Sequence, residues 1–149
     1  MLVRAQEARL RRFTRRLAGD EGDDIAQDAL LGAWQAIGQW RGDGTFAGWL
    51  RRIATRRYLD RQRRAGPRSF AEVDPAMAAP DCSPDRRIAL DRALATLGPR
   101  ERAAALLIFG ERYSHSEAAA ALGLPLGTLK SIVARARAAL IPLLEGADA

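Results

Sequence analysis

The 149-residue chain contains one cysteine, one histidine and one lysine, and only 6% of it is aromatic. A single cysteine, Cys82, excludes a disulfide framework or a cysteine zinc site within the chain. The single histidine, His115, precedes an apolar helical segment, where a capping or surface role is the ordinary reading. No metal site and no cofactor is implied. No apolar run approaches the roughly 20 residues of a membrane span, and the first residues lack a signal-peptide core. The expectation is a cytoplasmic protein with no membrane insertion. β-Branched residues are sparse, whereas Ala, Leu and Arg, all strong helix formers, dominate. Composition thus points to an all-α fold, either one ordinary domain or two small ones of about 65 residues each.

What is abundant is positive charge. The net charge is +6 with a pI near 10.8, which suits an anionic partner such as nucleic acid. Of 24 basic residues, 23 are arginine. Its guanidinium fork grips phosphate and guanine as lysine cannot, although GC-rich codon usage produces the same bias. Residues 1–68 carry 15 arginines against 8 carboxylates. Residues 69–85 carry four carboxylates (Glu72, Asp74, Asp81, Asp85) and no base. Residues 86–149 carry 9 bases against 6 acids. Two basic blocks thus flank an acidic strip.

Helical periodicity fills both blocks. Val3, Leu10, Phe13 and Leu17 recur on one face of a first helix ending near Gly19. Asp23 or Asp24 is placed to cap a second, with Ile25, Leu30, Leu31, Trp34 and Ile37 as its apolar positions and Trp34 read as core. Gly42, Asp43 and Gly44 make a turn. Thr45 then caps a third helix through Arg64, with Phe46, Trp49, Leu50 and Ile53 inward. On that helix Arg52, Arg56 and Arg63 fall within about 40° of one another at 100° per residue. Residues 66–85 contain four prolines and read as an extended linker.

In the second block, Ile88, Leu90, Leu94 and Leu97 mark one helix ended by Gly98-Pro99, and Leu106, Leu107 and Phe109 mark the next. Ser114 caps a short helix to Leu122, Gly123 turns the chain, and a last helix runs from about Pro125 to Leu144, frayed or kinked at Pro142. Leu129, Val133, Ala136 and Leu140 form its inward stripe. Two helices around a glycine turn, the first with alanines inward and the second opening on Gly127 and Thr128, read as a helix-turn-helix. A structural helical hairpin is the alternative. Lys130, Ser131 and Arg135 are placed to reach bases or phosphates in a major groove.

The segment Tyr113–Ser131 (YSHSEAAAALGLPLGTLKS), with ARAR at 134–137 and LGPRER at 97–102, resembles the promoter-reading helix-turn-helix of the extracytoplasmic-function (ECF) sigma factors. Response regulators of the LuxR type end in a similar motif, so the N-terminal block decides. There DDIAQDALLGAW at 23–34 resembles the family's polymerase-binding helix. WRGDGTFAGWLRRIA at 40–54 and LDRQRR at 59–64 resemble its promoter-melting segment. The resemblance covers about residues 5–142 and implies an all-α protein of two small helical domains. A three-helix domain at 1–66 would bind polymerase and melt the minus-ten element; a linker at 67–85 would lead to a four-helix domain at 86–149 reading the minus-thirty-five element.

It further implies that Asp24, Gln27, Asp28 and Leu31 face core RNA polymerase. Trp40, Arg41 and Thr45 would hold an unstacked promoter base, and Arg52, Arg56 and Arg63 would track minus-ten phosphates. Lys130, Ser131 and Arg135 would read the minus-thirty-five element with Thr128 on phosphate. Trp49 matches a position read as core, and the acidic linker would thread the polymerase channel as a nucleic-acid mimic. The implied partners are core RNA polymerase, promoter DNA and an anti-sigma protein. The chain departs from the family at Arg56, often Asn, which bears on minus-ten reading, and at Ile132, often Arg, and Ala134, often larger, which reduce the expected base-reading surface. Two other readings compete: a stand-alone helix-turn-helix regulator, and a sigma-like decoy that sequesters an anti-sigma protein. An enzyme built on Asp23, Asp24 and Asp28 lacks the helical His or Glu partners of a di-metal site and any nucleophile–base pair.

Overall fold

A computed structural model describes residues 2–42, 44–66 and 84–147, with side chains placed for 4–42, 44–66 and 84–146. The chain divides into two compact units, Met1–Ala71 and Glu72–Ala149. Among the described residues every regular element is helical, so the fold is all-α.

The first unit is a three-helix bundle. Helix α1 (Leu2–Ala18) buries Leu10, Phe13 and Leu17. A 3₁₀ turn (Gly19–Glu21) leads into α2 (Gly22–Gln35), so Asp23 and Asp24 sit within the first turn of α2 and do not cap it. They still complement its dipole, because carboxylates are stabilising among the free N–H groups of a helix start. Helix α3 (Phe46–Ala65) begins where expected: Thr45 accepts a hydrogen bond from the Gly48 amide at 3.0 Å. Each helix packs on the other two. Gly22 allows the closest approach, since a Cβ there would lie 2.6 Å from Arg15 backbone atoms.

The buried face of α2 is not its most apolar one. Ile25, Ala26, Ala29 and Ala33 are inside, whereas Leu31 and Trp34, and Ile37 in the 3₁₀ turn that follows (Ile37–Gln39), are 57%, 78% and 47% exposed. The expectation that Trp34 is core is therefore wrong. Small side chains let α2 sit close against α1 and α3, and the large apolar ones are left on the outer face. Thr14 and Thr55 are buried with their hydroxyls donating to the Arg11 and Arg51 carbonyls at 3.1 and 2.7 Å, which removes the cost of burying them.

The second unit comprises α4 (Pro84–Ala95), α5 (Pro99–Ala105), α6 (His115–Leu122) and α7 (Leu126–Ala147). Pro99 opens α5 at its first position, as its missing N–H permits. Helix α5 is prolonged by a π-helical turn, Leu106–Gly110. Within that turn Leu106 and Leu107 are buried, but Phe109 is exposed, contrary to the periodic reading. Helix α7 is the hub: α4, α5 and α6 all pack on it, through Leu129, Ile132, Val133, Ala136 and Leu140. Each leucine or isoleucine buried this fully contributes about 1.5–3 kcal/mol. Pro142 does not end α7, which continues to Ala147. Arg102 is also buried and donates from Nε to the Leu94 carbonyl at 3.0 Å, tying α5 to the end of α4.

Candidate nucleic-acid interface

Helices α6 and α7 form the turn that the sequence suggests. Ser114 and Glu117 make a reciprocal capping box: the Glu117 amide donates to Ser114 Oγ, and the Ser114 amide to Glu117 Oε1, both at 3.0 Å. The bond from Ser114 holds the Glu117 carboxyl below its ordinary range. Gly123 adopts the left-handed conformation (φ 67°, ψ 34°), and the Leu124 amide donates back to the Ala119 carbonyl at 3.0 Å. The axes of α6 and α7 then differ by 103°, within the range of DNA-binding helix-turn-helix pairs. Ala118, Ala119 and Ala121 line the buried side of α6, which lets the two helices cross closely.

The outward face of α7 carries every residue expected to read DNA: Thr128, Lys130, Ser131 and Arg135 are all exposed. At 100° per residue Lys130 and Arg135 stand about 140° apart, on opposite flanks of that face. Gly127, Ser131, Ala134 and Ala138 run between them, all exposed and all small. Ser131 Oγ donates to the Gly127 carbonyl at 3.2 Å. Ile132 is only 2% exposed and belongs to the core, so it takes no contact away from this surface. Arg137 is exposed on the Lys130 flank and was missed in the sequence reading; its i+7 spacing from Lys130 was the available signal. Arg135 pairs with Glu101 of α5, its Nη2 3.8 Å from Oε1.

In the first unit, Arg52, Arg56 and Arg63 are exposed on one face of α3, and Arg63 pairs with Asp60. Arg41 and Thr45 are exposed at the preceding loop, where Asp43 lies outside the described residues. Thr45 already spends its hydroxyl on the cap of α3. Trp40 is half-buried, edge-on to Phe46 at 5.5 Å and stacked on Trp49 at 6.2 Å. Trp49 is thus half-buried in an aromatic cluster and not enclosed in the core. The Nε1 atom of Trp40 is buried without a hydrogen-bond partner.

On α2 the spacing of Asp24, Gln27, Leu31 and Trp34 puts all four on one outward face, and all four are exposed. Asp28 lies beside this face but is engaged by Arg61 of α3 at 2.7 Å. Asp23 is held by Arg15 at 2.7 Å, with Arg11 3.5 Å away. Asp23 and Asp28 are thus paired with arginines of different helices, and Asp24 is exposed. No group of three or more metal-ligating side chains occurs among the described residues.

A helix-turn-helix in one unit and an arginine-faced helix beside clustered tryptophans in the other define a DNA-binding transcription protein. Residues 2–68 match the family model of Sigma-70 region 2, and residues 87–140 that of Sigma-70 region 4. The chain is 39% identical over 138 residues to the ECF RNA polymerase sigma factor SigM of Mycobacterium tuberculosis, covering 91% of this chain and 70% of that one. It is 35% identical over 148 residues to ECF sigma factor SigE of Mycolicibacterium smegmatis, covering 91% and 57%. Among solved structures it is similar to the sigma factor RpoE in complex with the anti-sigma factor NepR from Bartonella quintana. That match has a TM-score of 0.78 and 27% identity, and covers 97% of this chain and 94% of that one. It is also similar to CnrH in complex with the cytosolic domain of CnrY, with a TM-score of 0.65 and 27% identity over 97% and 86%. The chain belongs to the ECF sigma factors: it is a non-enzymatic transcription initiation factor that works with RNA polymerase at promoter DNA. The match to region 2 leaves no room for a regulator that uses the C-terminal helix-turn-helix alone.

Proposed function

We propose a division of labour between the two units. Residues 1–66 dock on core polymerase through the outward face of α2, with Asp24, Gln27 and Leu31 joined by Trp34. Trp40, Arg41 and Thr45 receive an unstacked base of the minus-ten element, while Arg52, Arg56 and Arg63 hold its phosphates. Residues 67–85 link this unit to 86–149, where Thr128, Lys130, Ser131 and Arg135 meet the minus-thirty-five element in the major groove. The protein acts in the cytoplasm, where polymerase is, and an anti-sigma protein covers part of these surfaces when transcription is off. The last point draws on the two similar structures, one a sigma factor held by the anti-sigma factor NepR and the other CnrH held by the cytosolic domain of CnrY.

The observation that carries the docking assignment is the exposure of Leu31 and Trp34 on the surface of α2, with exposed Ile37 in the 3₁₀ turn just after it. A contiguous exposed apolar patch on a small unit marks an interaction site. Asp28 is a poorer probe than its position suggests, because changing it also breaks the Arg61 pair. Trp34→Ala and Leu31→Ala are cleaner. Trp34→Ala is expected to change stability by less than about 0.5 kcal/mol and to weaken core-polymerase binding roughly 10- to 30-fold, as loss of an interface tryptophan does. Pull-down and run-off transcription read the outcome. Undiminished core binding by both variants would show that α2 docks elsewhere.

A further inference from the structure

Glu101 belongs to α5, outside the helix-turn-helix, yet its carboxylate lies beside the guanidinium of Arg135 on α7. It is the third residue of α5 and folds back over the start of its own helix. An added Cβ on Gly98, the N-cap, would lie 2.6 Å from Glu101 Oε2. The other oxygen, Oε1, faces Arg135 Nη2 at 3.8 Å. The two partners are unequal: the Glu101 side chain is 25% exposed and that of Arg135 69%. The carboxylate is the more buried member and the guanidinium the more exposed one.

We infer that Glu101 is a positioning residue for Arg135, one that sets the direction of its base-reading fork and restrains its attraction to phosphate. The inference rests on the reading of α7 as the base-reading helix. Arginine has five donors in a fixed plane and no acceptor. A carboxylate on one edge of that plane leaves the other edge for a guanine O6 and N7, which accept a bidentate pair. It also offsets the positive charge that would otherwise bind any phosphate, and that charge supplies affinity without sequence information. Arg135 sits on a flank of the α7 face, where the choice between base edge and sugar–phosphate wall is open. A negative partner on the protein side biases that choice toward the base.

The test uses holoenzyme assembled from core polymerase and the full chain, binding a library of promoters varied in the minus-thirty-five element at two salt concentrations. Glu101→Gln keeps the shape and removes the charge. It is expected to raise affinity for all sequences and to steepen the salt slope by up to about one ion. It is also expected to flatten base preference at a single position by about three- to tenfold, part of what one bidentate contact supplies. On an Arg135→Ala background, Glu101→Gln should leave preference unchanged. Gly98→Ala provides an independent arm: the backbone there (φ −66°, ψ 168°) accepts any residue, and the new methyl displaces the carboxylate without altering charge. It should flatten the same position with little change in salt slope. If Arg135→Ala flattens that position but neither Glu101→Gln nor Gly98→Ala does, the positioning role is overturned while the base-reading role stands. If Arg135→Ala itself leaves preference intact, both fall.

Discussion

Asp23 shows how single residues fasten the first unit. Arg15 donates to both of its carboxylate oxygens, from Nε at 2.7 Å and from Nη2 at 3.0 Å. That hydrogen bonding is the main reason its carboxyl is held below the ordinary range; partial desolvation works against it, and the charges of Arg15 and Arg11 add to it. A carboxyl with a lowered folded-state pKa binds its proton more readily in the unfolded chain. Its stabilising effect is therefore complete above the unfolded value near 3.9 and is lost as pH falls toward the folded one. The side chain is nearly half exposed, so solvent screening limits the contribution to about 1 kcal/mol or less. Asp23→Asn should lower the urea midpoint at pH 7 by a corresponding amount, and the gap from the unmodified protein should narrow below about pH 4. A gap that persists unchanged at about pH 2 would mean that the pair contributes through packing and not through charge.

Among the elements, the helix ends were legible because capping chemistry is local. Thr45, the Ser114/Glu117 pair and Gly123 each act within four residues of themselves, and each does what its residue type implies. Ser114→Ala should destabilise the second unit by about 1 kcal/mol through the lost cap. Gly123→Ala should cost about 1–2 kcal/mol because it places a Cβ in the left-handed region. Urea unfolding of both variants checks the pair. Equal stability of Gly123→Ala and the unmodified chain would show that the turn relaxes. The orientation of α2 was less legible because two faces of that helix are apolar, one built of Ile25 and three alanines and one of Leu31 and Trp34. Periodicity weighs the larger side chains, whereas close helix packing selected the smaller. Ile132 was misjudged for a related reason: comparison with the family treated it as a changed contact, and only the packing around α7 shows it enclosed. The π-helical turn of Leu106–Gly110 has no composition signal. It inserts a residue into the helical count and so carries Phe109 out of the stripe that Leu106 and Leu107 begin. It hands over to Arg112, which takes φ 57° without being glycine.

At the scale of the whole molecule, each unit has its own core and its own reading surface, and 18 residues separate the end of α3 from the start of α4. The acidic strip expected to thread the polymerase channel falls in that stretch, almost entirely outside the described residues. On the promoter, RNA polymerase is the body expected to set the spacing of the two units. Free protein should therefore bind promoter DNA weakly and with a steep salt dependence, and holoenzyme should bind it specifically. Fluorescence anisotropy of a labelled promoter at physiological salt distinguishes the two states, and tight, selective binding by the free chain would contradict the arrangement. The placement of the three tryptophans gives the same molecule a built-in optical report. Trp34 stands in water, whereas Trp40 and Trp49 stack with their ring centroids 6.2 Å apart. If α2 docks on polymerase and Trp40 receives a base, as proposed, the emission of the lone indole would follow the first event and that of the stacked pair the second. The two proposed events would then be separable signals in one unlabelled protein, one read in the colour of the light and the other in its intensity.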